Sequence, residues 1–165
     1  MRMGMHSILT GSQLALRAAV GGSIACYLAA FLQLQRPIYA LVAAIIVTDF
    51  APSQTKRLSL QRLSATGIGA MCGVAVWSAF GQAQWSVGLG ILIAMVLAHA
   101  CNASAGAKVA GYVCALIILD SADDPLTYAW YRVLETVLGI AIAWLLSLVP
   151  RLIELKEPAG PKNGS

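Results

Sequence analysis

Six apolar segments, separated by short polar connections, dominate this 165-residue chain and restrict what it can fold into. Only 11% of the residues are charged, whereas soluble domains carry about 25% charged residues. The mean hydropathy is +0.76. Such a chain is predicted to be an all-α, polytopic membrane protein with six transmembrane helices. The expected helices cover residues 14–34, 38–50, 60–80, 85–101, 109–119 and 126–149.

The charges between these segments predict the orientation of the chain. Six spans place both termini on one side of the membrane, and most basic residues fall on that side. The positive-inside rule makes it the cytoplasmic side. Residues 1–150 would then form the transmembrane domain, and residues 151–165 a flexible cytoplasmic tail. The basic residues expected on the cytoplasmic side are Arg2, Lys56, Arg57, Arg62, Lys108, Arg151, Lys156 and Lys162.

The opposite side of the membrane is expected to be richer in acids. It would hold Arg36 and Arg132 together with Asp120, Asp123 and Asp124. The net charge of +4 is thus explained by topology. Because no basic run is interleaved with aromatic residues, no nucleic-acid partner is expected.

A sequence pattern recurs in the third and sixth segments. Residues 62–73 read "RLSATGIGAMCG" and residues 132–143 read "RVLETVLGIAIA". An odd number of spans separates the two copies, so they would cross the membrane in opposite directions. This predicts two inverted three-helix repeats. The alternative is chance, because membrane helices often begin with a snorkelling Arg and contain Gly. The matching pairs are Arg62 and Arg132, Thr66 and Thr136, and Gly69 and Gly139.

The small residues of the repeat predict close helix packing. Gly69, Gly73 and Gly139 would allow a neighbouring helix to approach closely, because lipid gives little hydrophobic drive for association. Thr66 and Thr136 could each bond a backbone carbonyl or a neighbouring helix.

Charged and aromatic residues inside the apolar segments are the candidates for function. Burying a charge without a partner in a membrane is expensive, and paired short segments in inverted halves mark the central site of a transporter. A structural alternative stays open, which is snorkelling for Arg17, Arg62 and Lys108 and ion pairing for Asp49, Arg132 and Glu135. Arg132 and Glu135, spaced i, i+3, can pair. The candidate substrate-binding residues are Arg17, Tyr39, Asp49, Arg62, Lys108, Tyr112, Arg132 and Glu135.

Enzymatic and metal-binding motifs were sought without success. The chain has no H-E-x-x-H, no G-x-S-x-G and no phosphate-binding glycine loop. Its four cysteines form no Cys-x-x-Cys pair. We therefore expect neither catalysis nor a cofactor or metal.

The stretch "RPIYALVAAIIVTDFAPSQTKRLSLQRLSATGIGAMCGV" resembles the fusaric acid resistance and aromatic acid exporter family of bacterial inner-membrane proteins. In that family a helix opening near Pro-x-Tyr-Ala leads, through a polar connection, to a helix that begins Arg-x-x-x-Thr-x-x-Gly-x-x-x-Gly. "YRVLETVLGIAIAWLL" is similar to the family's last helix, and Arg17 in "LALRAAV" fits the opening of its first. The resemblance covers roughly residues 12–149. The motif residues here are Pro37, Tyr39, Ala40, Arg62, Thr66, Gly69 and Gly73.

The resemblance implies a six-helix module, often paired, that exports aromatic carboxylates. The family is distantly similar to plant aluminium-activated malate transporters, which are dimeric anion channels. We therefore expect an organic-anion transporter or channel of the bacterial inner membrane, with the anion and the lipid bilayer as partners. A single module leads us to expect a homo-oligomer, most simply a dimer. The alternative is a non-transporting membrane scaffold or subunit with a dry, fully packed interior.

Overall fold

A computed structural model describes residues 2–49, 52–121 and 124–148 of the chain. These residues form six α-helices and a short 3-10 helix, with no β-strand among them, so the all-α prediction is confirmed. The helices are α1 (Arg2–Phe31), α2 (Ile38–Val47), α3 (Pro52–Phe80), α4 (Gln84–Ala100), α5 (Ala107–Asp120) and α6 (Pro125–Ser147), and the 3-10 helix is Ser104–Gly106.

Three of the helices contain stretches that are long and apolar enough to cross a membrane. These stretches are Gly11–Phe31, Ser53–Phe80 and Pro125–Ser147. Helix α2 has only 10 residues. Such a helix is about 15 Å long, or about half the thickness of the hydrocarbon core. A six-span arrangement therefore requires the short helices to be completed by the segments that flank them.

Helices α1 and α3 extend further than the apolar segments predicted. Helix α1 runs over Arg2–Phe31 instead of 14–34, and α3 begins at Pro52 instead of residue 60. Proline suits the first position of a helix, and the Gln, Lys and Arg residues that follow are good helix formers. The polar connection before Arg62 is therefore helical. The expected tail, residues 151–165, lies outside the described residues.

The ends of α1 and α4 have the same geometry. Gln33 and Asn102 both adopt positive φ, at 53° and 57°. The N–H of the next residue returns to the carbonyl of Ala29 in α1 and of Ala98 in α4, at 3.0 and 2.8 Å. This is the Schellman arrangement, which satisfies the last carbonyls of a helix. The two helix ends lie 69 residues apart, close to the 70-residue spacing of the sequence repeat.

Contacts between the helix termini give the direction of each helix. The Arg36 N–H, just before α2, donates to Glu135 in α6, and the Arg36 side chain binds Asp120 at the end of α5. Gly106, just before α5, lies against Gln61 and Ala65 near the start of α3. Because the connections α1–α2 and α3–α4 are short, consecutive helices alternate in direction. We call the two ends of the bundle the Asp120 end and the Gly106 end.

Helix packing in one half of the chain has a counterpart in the other. Helix α3 packs on α5, and α6 packs on α2. Likewise α4 contacts α5 and α3, whereas α1 contacts α2 and α6. Helices α3 and α6 pack on each other at the centre. Exchanging α1–α2–α3 for α4–α5–α6 therefore reproduces the same set of helix pairs.

Glycines at equivalent positions make the closest of these contacts. A Cβ atom on Gly69 would collide with the backbone carbonyl of Ala110 in α5, and one on Gly139 would collide with that of Ala40 in α2. Both glycines and both alanines are 70 residues apart. On Gly73 the added Cβ would lie 2.8 Å from the Ile117 Cβ. All three glycines of the sequence pattern thus lie where a second helix approaches.

The threonines of the pattern also have equivalent roles. The hydroxyl of Thr66 donates to the carbonyl of Arg62, and the hydroxyl of Thr136 donates to that of Arg132, both at 2.9 Å. The expectation that these threonines bond backbone carbonyls is confirmed. Each bond satisfies a buried hydroxyl within its own helix and leaves the preceding arginine side chain free to contact other helices.

Candidate functional site

Arg62 and Arg132, the two arginines of the sequence repeat, are buried inside the bundle. The side chains of Arg62 and Arg132 are each 3% exposed. Arg62 lies almost three turns inside α3 and Arg132 almost two turns inside α6, so neither is at a helix end. A buried guanidinium loses its hydration and needs hydrogen-bond acceptors and a counter-charge. The burial of Arg62 argues against the snorkelling alternative.

Arg132 has partners at both terminal nitrogens, and its Nε is buried without a hydrogen-bond partner. Its Nη1 binds the Glu135 carboxylate at 3.2 Å, as the i, i+3 spacing predicted. Its Nη2 donates to the Tyr128 hydroxyl at 2.7 Å, and its guanidinium lies over the ring of Tyr39. Glu135, itself 1% exposed, also accepts the Arg36 N–H at 2.7 Å. The positive charge of Arg132 is therefore neutralised within the protein.

These bonds close into a ring at the Asp120 end. Arg36 donates to Asp120, and the Tyr128 hydroxyl also donates to Asp120, at 2.8 Å in each case. Tyr128 in turn accepts from Arg132, which binds Glu135, and Glu135 accepts the Arg36 N–H. The ring contains two arginines and two carboxylates, so its formal charge is zero. It ties the α1–α2 connection to the end of α5 and the start of α6.

A depression of about 580 Å³ lies over this ring and opens at the Asp120 end. Asp124 on its rim accepts the Thr127 N–H at 3.0 Å and so caps α6. Hydrogen bonds from the Thr127 side chain and N–H lower the pKa of Asp124. The lining residues are Gln35, Arg36, Asp120, Ser121, Asp124, Thr127 and Tyr128.

Arg62 is partnered differently from its counterpart Arg132. Its Nη2 donates to the hydroxyl of Tyr112 in α5. Its Nε and Nη1 are buried and have no hydrogen-bond partner. Neither of the salt bridges Arg36–Asp120 and Arg132–Glu135 includes Arg62. Arg62 is thus a buried cation without a bonded carboxylate.

The two arginines belong to one cluster. Tyr112 lies within electrostatic range of Arg62, Arg132 and Tyr39. Tyr39 contacts Arg132 from α2, the equivalent of α5 in the other half. Five of the eight predicted site residues therefore come together: Tyr39, Arg62, Tyr112, Arg132 and Glu135. Three phenol rings, counting Tyr128, surround the guanidiniums.

The other three predicted residues are Arg17, Lys108 and Asp49. Arg17 is buried in α1, at 7% exposure, so snorkelling does not describe it. Lys108 is exposed in the first turn of α5, as a snorkelling lysine would be. Asp49 is half-buried just after α2. The hydrogen bonds and ring contacts that define the cluster come from other residues.

Three residues of the ring escaped the sequence-based assignment of the site. Arg36 and Asp120 were noted only as charges on the non-cytoplasmic side, and Tyr128 was not singled out. Tyr128 stands four residues before Arg132, which places both on one helix face. That spacing could have indicated from the sequence alone that Tyr128 contacts Arg132. The pairing of Arg36 with Asp120 and Glu135 joins residues far apart in the chain and has no local signal.

An apolar groove of about 730 Å³ lies between α3 and α6 on the outside of the bundle. Gly67 and Met71 line it from α3, and Leu126 and Trp130 line it from α6. Met71, Leu126 and Trp130 are 70%, 68% and 62% exposed. None of the residues that line the groove belongs to the arginine cluster, and the groove surface consists mainly of small and apolar side chains.

Apolar helices that enclose charged and aromatic side chains are typical of helical membrane proteins. The description "Aromatic acid exporter family member 1" belongs to the family model that matches residues 11–149. This chain is therefore a member of the aromatic acid exporter family.

A relative in Bacillus subtilis (strain 168), the UPF0421 protein YgaE, is 27% identical over 150 residues. The match covers 90% of this chain and 40% of the relative, so this chain spans less than half the length of that protein. No solved structure is a significant match to this chain.

Proposed function

We propose that this protein is a transporter or channel for organic anions, with aromatic carboxylates as its first substrates. The observation that carries the proposal is the buried Arg62 guanidinium, which has two donor groups without partners inside an apolar bundle. Basic residues at the centre of a membrane protein select anions. The surrounding phenol rings supply flat surfaces for an aromatic ring. Membership of the aromatic acid exporter family supports the same substrate class.

The alternative of a non-transporting scaffold fits this interior less well. A purely structural bundle gains nothing from a buried cation without a counter-charge, because an apolar side chain of similar volume would be at least as stable. The Arg132 half of the cluster would suit a scaffold, since its charges are all paired. The Arg62 half would not, because its buried cation has no bonded carboxylate.

All six helices are proposed to cross the membrane as two inverted repeats. The equivalent glycine contacts, threonine bonds and helix ends support this arrangement, as do the opposite directions of α3 and α6. The short helices α2 and α5 occupy equivalent places in the two halves, as in transporters built on inverted repeats. The arginine cluster would then lie within the membrane, between the halves.

The bundle is proposed to sit in the bacterial inner membrane with its Gly106 end in the cytoplasm. Lys56, Arg57 and Lys108 are exposed at that end, whereas Asp120 and Asp124 lie at the other. The positive-inside rule supports this orientation, which places both termini in the cytoplasm.

Cys101 gives a direct test of orientation, because it is exposed and lies beside the Gly106 end. A membrane-impermeant maleimide is expected to label Cys101 in inside-out vesicles and to leave it unlabelled in intact cells. In a Cys101→Ser background, Asp124→Cys is expected to show the reverse. Labelling of Cys101 from outside intact cells would contradict the proposed orientation.

A homodimer is proposed as the working unit. A symmetric pair would double the six-helix module, and the apolar groove between α3 and α6 offers small side chains for close approach. Native mass spectrometry from detergent is expected to show dimers. Single chains alone, under conditions that preserve other membrane oligomers, would contradict this.

Transport itself is tested by benzoate flux from proteoliposomes in mildly alkaline buffer, where little of the permeant neutral acid is present. Wild-type protein is expected to release internal benzoate faster than protein-free vesicles do. It should also carry benzoate in preference to inorganic cations when a membrane potential is imposed. Equal release with and without protein would refute the proposed function.

A further inference from the structure

The surroundings of the two arginines differ at one pair of equivalent positions. Glu135 stands three residues after Arg132, and Ala65 stands three residues after Arg62. Glu135 bridges the Arg132 guanidinium and the Arg36 N–H. In the other half, the residue equivalent to Arg36 is Gly106, which lies against Ala65. One half therefore contains a carboxylate at a position where the other half has a methyl group.

The connection in the Arg62 half needs no carboxylate for its own backbone. The Gly106 N–H donates to the Ala103 carbonyl at 2.8 Å within the 3-10 turn. The Arg36 N–H, by contrast, has Glu135 as its acceptor. The backbone N–H of this connection therefore has an acceptor in both halves, so the two halves differ in the partners of their arginine side chains. Arg132 has its counter-ion and only its Nε has no partner, whereas Arg62 has no counter-ion bonded to it and both its Nε and its Nη1 have no partner.

We propose that Arg62 binds the carboxylate of the transported anion, which takes the place at Arg62 that the Glu135 carboxylate takes at Arg132. The inference rests on the proposed function and assigns its substrate contact to one of the two halves. Each of the two unpartnered donor groups of Arg62, Nε and Nη1, can give a charge-assisted hydrogen bond to a carboxylate oxygen. The Tyr112 hydroxyl, already bonded to Arg62, orients the guanidinium.

In the second half, the Glu135 carboxylate binds Arg132 permanently and occupies the position that the substrate carboxylate would otherwise take. It neutralises Arg132 and closes the ring at the Asp120 end, so Arg132 does not compete for substrate. The Arg62 donors are enclosed in this structure, so the anion reaches them when the helices at the Gly106 end separate. The ligand class is a monocarboxylate with an aromatic ring, because the cluster offers one uncompensated cation and neighbouring phenol rings.

Binding is tested with the purified full chain in lipid nanodiscs, with benzoate as the probe and benzamide as its uncharged analogue. Isothermal titration is expected to show one benzoate site per chain and no benzamide binding. Arg62→Gln is expected to weaken benzoate binding by about tenfold or more, because it removes a charge-assisted contact. Arg57→Gln, an exposed arginine on the same helix, is the matched control and is expected to leave the affinity unchanged.

Tyr112→Phe guards against a folding defect in Arg62→Gln, and Glu135→Ala tests the role of the second half. Tyr112→Phe removes only the hydroxyl that orients Arg62 and is expected to weaken benzoate binding while the fold is retained. Glu135→Ala gives the second half the residue found in the first. It is expected to raise the benzoate stoichiometry from one to two, or to make the melting temperature more responsive to benzoate than that of wild type.

The inference would be overturned by folded Arg62→Gln protein that binds benzoate as wild type does, or by benzamide binding as tightly as benzoate. Unchanged stoichiometry and no added benzoate stabilisation in Glu135→Ala would also oppose it. Its failure is distinguishable from that of the proposed function. Flux that persists in Arg62→Gln refutes the site alone, whereas benzoate binding without flux in wild type refutes transport alone.

Discussion

Gly69→Ala is expected to destabilise the bundle strongly, whereas Gly67→Ala, two residues earlier on the same helix, is expected to stabilise it slightly. The added Cβ of Gly69→Ala meets the backbone carbonyl of Ala110, which cannot move without separating α3 from α5. Overpacking of this kind costs about 1–3 kcal/mol, and the upper part of that range applies where backbone blocks the methyl group. At Gly67 nothing lies within 4 Å of the added Cβ. There the better helix propensity of Ala adds roughly 0.5–1 kcal/mol.

Thermal unfolding in detergent, followed by circular dichroism, measures both variants on one scale. Gly139→Ala should behave as Gly69→Ala does, because its Cβ would meet the carbonyl of Ala40. Equal melting temperatures for Gly67→Ala and Gly69→Ala would contradict the packing of α3 on α5. Different effects at Gly69 and Gly139 would contradict the equivalence of the two halves.

Glu135→Ala is expected to be among the most destabilising substitutions in the chain in the absence of a ligand. It leaves the Arg132 guanidinium buried without its counter-charge and the Arg36 N–H without its acceptor. Breaking a buried ion pair from one side costs about 3–5 kcal/mol. That loss is a large share of the roughly 5–15 kcal/mol that stabilises a typical folded domain.

The double substitution Arg132→Met with Glu135→Leu is the matched control for this prediction. It removes both charges and keeps similar volumes, so it is expected to recover most of the stability lost in Glu135→Ala. Unfolding of the three proteins in the same detergent gives the comparison. The pairing argument fails if Glu135→Ala melts as wild type does, or if the double variant is no more stable than Glu135→Ala.

Features that depend on neighbours along one helix were accessible from the sequence. The i, i+3 pair of Arg132 and Glu135 and the threonine bonds to backbone carbonyls follow from helix periodicity alone. The Arg-Thr-Gly pattern likewise indicated which glycines would meet other helices. Apolar segments and scarce charge were enough to predict an all-helical chain.

Features that depend on contacts between helices were not accessible in the same way. Helix α3 begins before the apolar segment that starts near residue 60, because its first turns are polar and nothing in them opposes a helix. The apolar segment alone therefore places Arg62 near a helix end, where snorkelling is plausible. The bonds from Arg36 to Glu135 and Asp120 cross 99 and 84 residues of chain. Periodicity within one helix carries no information about such pairs.

A buried, uncompensated arginine is proposed to make this bundle an anion transporter. The most direct test compares benzoate flux through proteoliposomes containing equal amounts of folded Arg62→Gln and Arg57→Gln protein. Arg57→Gln is expected to transport as wild type does, and Arg62→Gln is expected to lose about nine-tenths or more of the flux, in line with a lost charge-assisted hydrogen bond. Equal flux through the two variants would contradict this proposal.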